Sequence, residues 1–149
     1  MTHPLRRTLL ATIATTSLTV LTLLMPATAL AQTAPPKHKV VFQVSDAEPQ
    51  KWNLTLNNAR NVLDELGEDA VDMAIVVYGP GIGMLKGDSP VAKRVADALK
   101  VGVKVVACEN TMKVQKLVYA DMLPSIGYVS AGVVELMKKQ REGFAYIRP

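Results

Sequence analysis

Five short apolar runs alternating with four amphipathic stretches predict an α/β fold, a three-layer α/β/α domain with a mainly parallel five-stranded sheet. Three observations carry this expectation. The strand-like runs are β-branched and apolar at successive positions, as strands covered on both faces are. A helix–glycine–strand order recurs at 63–77 and again at 95–107. The composition, 49% hydrophobic and 20% charged over 149 residues, suits one domain with a buried core and excludes a disordered chain.

The first 31 residues read as a cleaved signal peptide. Arg6 and Arg7 form a positive n-region, Leu9 to Leu24 a mildly apolar run diluted by threonines, and Ala29-Leu30-Ala31 a small-x-small cleavage pattern before Gln32. The run is short of the roughly 20 residues that span hydrocarbon, so no stable membrane insertion is expected after cleavage. The paired arginines fit both a general secretory signal and a twin-arginine one. Export to the periplasm or beyond follows, with residues 32–39, including Pro35 and Pro36, as a tether before the domain at 40–149. Loss of Arg6 and Arg7 takes two charges from 17 basic residues against 13 acidic ones, leaving a net charge of +2. That is no footprint for nucleic acid, which calls for a dense basic stripe.

Each element has a local reason. Val40 to Val44 is the first strand. Pro49 opens a helix whose Trp52, Leu56, Ala59, Leu63 and Leu66 recur every three or four residues, and Gly67 closes it. Met73 to Tyr78 is the second strand, followed by the loop Gly79-Pro80-Gly81-Ile82-Gly83. Ser89-Pro90 supplies a cap and first-turn proline for a helix with Val91, Val95, Ala98 and Leu99 inward, ending near Gly102. Val103 to Ala107 is the third strand. A helix from Asn110 or Thr111 to about Val118, a strand at 126–129, a helix at 130–140 and a strand at 144–147 complete the set.

Ligands of open α/β sheets bind beyond the carboxyl ends of the strands. Ser45-Asp46, the Gly79–Gly83 loop and Cys108-Glu109-Asn110 all arrive there. Cys108 is the only cysteine, which excludes an internal disulfide. Set between a strand end and a helix start, its thiol is placed to ionise more readily than a free one; the competing reading is a small buried residue that only packs. The Gly79, Gly81 and Gly83 loop lacks the spacing of a dinucleotide or P-loop motif, and nothing in the chain calls for a cofactor. It reads either as a turn or as a wall whose amides face an anion near Cys108, together with Asn110 and Thr111. His38, the one histidine beyond the leader, lies in the tether, so Ser-His-Asp and Cys-His machinery lacks a positioned base. Cys108 with Met84, Met112 and Met122 forms a candidate soft-metal set for Cu(I), although methionines in a small core read first as packing, and no metal site is expected. Asn53, Asn57 and Arg60 make a polar stripe along the first helix, read first as a solvated face and second as an oligomer contact or a pocket wall.

Several segments together resemble the DsrE/DsrF-like family of sulfur-relay proteins, and more closely its exported, single-domain branch. They are Lys51-Trp52-Asn53-Leu54 with Asn57-Asn58, Tyr78-Gly79-Pro80-Gly81-Ile82, Val105-Val106-Ala107-Cys108-Glu109-Asn110-Thr111-Met112, Gly132-Val133-Val134-Glu135-Leu136, and Glu142-Gly143-Phe144-Ala145-Tyr146-Ile147. The resemblance implies a compact α/β/α domain that forms homo-oligomers and a persulfide-carrying cysteine, a role that Cys108 alone can inherit. Two departures stand beside it. Those relay proteins work in the cytoplasm among partner subunits, whereas this chain carries an export signal. It also has no second cysteine, so a transferred sulfur must come from and end on another protein or a small thiol. The alternatives are a non-enzymatic homo-oligomeric module that binds a small ligand or assembles, with Cys108 inert, and a copper binder.

Overall fold

The computed structural model describes residues 37–149. The expected leader, and residues 32–36 of the expected tether, lie outside the described residues. Strands β1 (His38–Val44), β2 (Val71–Val77), β3 (Lys104–Cys108), β4 (Gly127–Val129) and β5 (Ala145–Ile147) alternate with helices α1 (Pro49–Leu66), α2 (Ala92–Lys100), α3 (Glu109–Val114) and α4 (Gly132–Arg141). The sheet order is β4-β3-β2-β1-β5, and every pairing is parallel.

This order explains the layers. Parallel strands are joined by right-handed crossovers, so the face a helix takes depends on the direction in which the chain steps across the sheet. From β1 to β4 each step goes the same way, and α1 and α2 cover one face. The return from β4 to β5, across the whole sheet, puts α4 on the other. Side-chain alternation divides the strands accordingly. Val40, Phe42, Val44, Met73, Ile75, Val77, Val103, Val105 and Ala107 pack with Trp52, Leu56, Leu63 and Val95 in the larger core. Val41, Ala74 and Val76 face Leu136 and Phe144 in the smaller one. Each large apolar side chain taken wholly out of water there adds about 1.5–3 kcal/mol before chain entropy is subtracted.

The element boundaries show where tertiary contacts overrule local signals. β1 starts at His38, two residues before Val40, because His38 and Lys39 pair with Val71 and Asp72. Ser89 does not cap α2 directly. Its hydroxyl accepts from the Val91 amide at 3.4 Å, its carbonyl accepts from Ala92, and the helix starts only at Ala92. The third helix stops at Val114, four residues short of Val118, where Lys116 takes a φ of 56° and turns the chain. The glycine loop is a 3₁₀ helix, Gly79–Leu85, and not an open turn; within it only Gly79 has positive φ, 55°.

Candidate functional site at the end of the third strand

Cys108 is the last residue of β3 and the residue before α3. The β3–β4 register sets it beside Val129. Extending the β2–β3 register by one residue sets it beside Tyr78. Its side chain points to the face that α4 covers. The chain after β4 closes over it: the thiol donates to the Ser130 carbonyl at 3.8 Å, and that carbonyl also accepts from the Asn110 amide at 3.2 Å. Gly132, the first residue of α4, lies so close to Tyr78 that an added Cβ would sit 2.9 Å from the ring. A side chain at 132 would push the start of α4 away from the cysteine. Cys108 is 5% exposed.

Burial pushes the Cys108 thiol up, but the hydroxyl of Thr111 and the backbone amides of Gly132, Thr111 and Asn110 all favour the anion and hold it below the ordinary value. These donors come from the first turns of two helices, α3 and α4, so both macrodipoles act in the same sense. Thr111 is itself oriented. Its hydroxyl oxygen accepts the Gly79 amide at 2.9 Å, which leaves the hydroxyl proton to point at the sulfur. The Gln115 side-chain amide donates to the Gly79 carbonyl at 3.3 Å and ties the same two segments again. A shallow apolar depression lined by Gly79, Pro80, Asn110, Thr111, Val114 and Gln115 lies alongside. Glu109, next to the cysteine, is turned to the Tyr119 hydroxyl, which donates to it, and Tyr119 stacks edge-on against Tyr128 at 4.5 Å.

The structure thus brings Cys108, Asn110, Thr111 and Gly79 together. It does not bring Gly81 and Gly83 to them: Gly81 packs against the Val44 carbonyl and Gly83 against the Trp52 ring. Met84, Met112 and Met122 belong to the larger core, across the sheet from the Cys108 side chain, so the four sulfurs of the candidate soft-metal set do not converge. Among the described residues no group of three or more His, Cys, Asp or Glu side chains could hold a metal. Sequence reasoning missed Ser130 and Gly132 as site residues. The available signal was a glycine at a helix start following a strand, which permits close backbone approach.

An all-parallel α/β domain with one cysteine at the carboxyl edge of its sheet, ringed by backbone donors, is the class of protein that this geometry defines. The sequence profile of the DsrE/DsrF-like family matches residues 38–149, and the chain belongs to that family. MTH1491 of Methanobacterium thermoautotrophicum, a protein of unknown function, is similar at 32% identity and a TM-score of 0.72, over 76% of this chain and 100% of its own. The ychN protein of E. coli has a TM-score of 0.63 at 13% identity, over 75% of this chain and 99% of its own. BT1422 of Bacteroides thetaiotaomicron, also of unknown function, has a TM-score of 0.61 at 13% identity, over 74% and 94%. At that identity the last two are similar in fold alone. No curated protein matches the sequence.

Proposed function

We propose that this protein carries sulfane sulfur as a persulfide on Cys108. The observation that carries the reading is the place of Cys108 beside the Thr111 hydroxyl and the first turns of α3 and α4, whose donors hold its thiol below the ordinary value against its burial. Donors so arranged stabilise a thiolate at no cost of reorganisation when the charge appears, and the attacking species of the exchange is that thiolate. In the transfer, the Cys108 thiolate attacks the outer sulfur of a donor persulfide, R–S–SH. A sulfur–sulfur bond forms to Cys108, the donor's own sulfur–sulfur bond breaks, and R–S⁻ leaves with the electron pair. The balance needs no external oxidant. The second half is the same exchange onto an acceptor thiol, on another protein or a small molecule. The depression beside Thr111 and Val114 is where the donor's apolar part rests, and the Ser130–Gly132 segment must move aside for attack. Export through a cleaved leader and assembly into homo-oligomers belong to the same proposal. Assembly is supported by the apolar residues Val133, Val134 and Met137, exposed on the outer side of α4.

The test is mass spectrometry of the protein incubated with a glutathione persulfide donor, with Cys108→Ser as the blank, beside alkylation of the native thiol. Added mass of one sulfur on Cys108, and labelling of the folded protein with a half-point below the ordinary thiol value, support the carrier. Labelling that appears only on denaturation overturns it. The second reading, a homo-oligomeric binding or assembly module with an inert cysteine, is favoured by the 5% exposure of Cys108.

The same thiol links stability to pH. Its value in the folded chain lies below the ordinary one, so the folded state releases the proton more readily than the unfolded state. The stabilisation is therefore complete above the ordinary thiol value and is lost as pH falls through the folded value. Urea titrations at rising alkaline pH are expected to show wild type gaining on Cys108→Ser. Parallel curves would show that the donors do not favour the anion.

A further inference from the structure

The polar stripe of α1 has an unexpected partner. Arg94, on α2, reaches across the helix pair: one terminal nitrogen donates to the Asn53 side-chain oxygen, and the other to that of Asn57 at 2.6 Å. The first nitrogen also lies 3.5 Å from the Asn53 carbonyl. A guanidinium has five N–H groups, so Nε–H and one further hydrogen stay free of protein acceptors among the described residues. Among the described residues no carboxylate lies within ion-pair distance of this half-buried charge, whereas the nearby Arg60 is held by Asp64 at 2.8 Å. Asp97, one turn along α2, is bridged by both Lys93 and Lys100 at 2.9 Å, which spends its charge on them and holds its carboxyl down to about 2. Lys93, Arg94, Lys100 and Arg60 therefore outnumber the carboxylates at this rim.

Below the rim, α1 and α2 do not close on one another. A cavity of about 240 Å³ opens between them. Its floor is apolar, built from Leu56, Ala59, Leu63, Ala98, Val101 and Val103, with Arg60, Arg94 and Asp97 at the mouth. Ala59 and Ala98 face the gap with side chains too small to fill it. A half-buried cation whose only partners are neutral amides, set over an apolar slot, is complementary to a molecule with a negative head and a short apolar body.

We propose that the α1–α2 groove binds a free medium-chain carboxylate, with its head on the open edge of Arg94 and its alkyl chain over the half-buried Ala98 and Val101. The site lies on the α1–α2 face of the sheet, away from the Cys108 side chain, and is independent of the sulfur-carrier reading. Both Asn53 and Asn57 act as positioning residues that aim the guanidinium across the slot.

Octanoate is the probe, titrated into the purified protein by calorimetry, with octan-1-ol and acetate as controls for tail and head alone. Saturable binding of octanoate is expected, at least tenfold tighter than either control. Arg94→Gln should weaken octanoate at least tenfold while leaving octan-1-ol unchanged, and Ala98→Phe, which fills the slot, should remove both; melting curves confirm that each variant is folded. Equal binding of octanoate and octan-1-ol, or full binding retained in both variants, overturns the assignment. Octanoate affinity that falls as the protein concentration is raised would show the groove closed by a second copy of the chain and would overturn it as well.

Discussion

Replacing Thr111 by valine is expected to slow alkylation of Cys108 at neutral pH about tenfold, a change of roughly 1.4 kcal/mol in the balance between thiol and thiolate. Valine keeps the shape and deletes the hydroxyl, so packing against the 3₁₀ segment is retained and one donor to the sulfur is lost. The Gly79 amide, which donates to the Thr111 oxygen at 2.9 Å, loses its acceptor at the same time, so part of the effect reaches Cys108 through movement of that loop. Thr111→Ser is the conservative control for both. It restores the hydroxyl and the Gly79 bond, and should return the rate to within about twofold of wild type. Measured across pH, the Thr111→Val profile is expected to move to higher pH with its plateau equal or slightly raised, because the fraction ionised at neutral pH is smaller while a thiolate of higher pKa is somewhat more nucleophilic. A lowered plateau with an unmoved half-point would mean that Thr111 governs access and not charge.

The fold was legible in the sequence because its signals are local. Met73–Val77 is apolar at every position and Val40–Val44 at every position but Gln43, and α1 shows its buried stripe from Trp52 to Leu63 directly. Cys108 and the residues that follow it were placed at the sheet edge by chain order alone. What could not be read was contact between elements far apart in sequence. Ser130 and Gly132 meet Cys108 because β4 pairs with β3, a register no local pattern specifies. Arg94 finds Asn53 and Asn57 only because the β1–α1–β2–α2 order lays the two helices side by side. The glycines mislead for a related reason. At 79, 81 and 83 they form one motif in sequence but serve different ends, Gly79 turning the backbone and holding Thr111 while Gly81 and Gly83 admit other groups closely.

That difference sets the second large effect, which is on stability. Gly81→Ala places a methyl group 2.7 Å from the Val44 carbonyl oxygen and 2.9 Å from its carbon, inside van der Waals contact and against backbone at the end of β1. Neither partner can rotate away. Val44 is paired with Val77, and its carbonyl already accepts the Tyr78 amide at 3.0 Å, so relief requires the 3₁₀ segment to lift from the sheet. Overpacking of this kind costs about 1–3 kcal/mol, and a contact with fixed backbone belongs at the upper end, enough to lower the urea midpoint clearly with the slope unchanged. Gly83→Ala is the graded comparison: its methyl meets the rim of the Trp52 ring at 3.1 Å, a side chain that gives by a few tenths of an ångström, and the expected loss is under about 1 kcal/mol. Gly67→Ala is the control of opposite kind. It has open space around it but a φ of 87° with a ψ of 137°, a region side chains avoid, so it costs about 1–3 kcal/mol through backbone conformation alone. Gly81→Ala and Gly67→Ala are each expected to cost more than Gly83→Ala, and equal costs at 81 and 83 would show that the 3₁₀ segment moves freely over the end of β1. Lifting that segment also draws Gly79 from Thr111, so Gly81→Ala should carry a rise in the alkylation half-point of Cys108 that Gly67→Ala, at the far end of α1, does not.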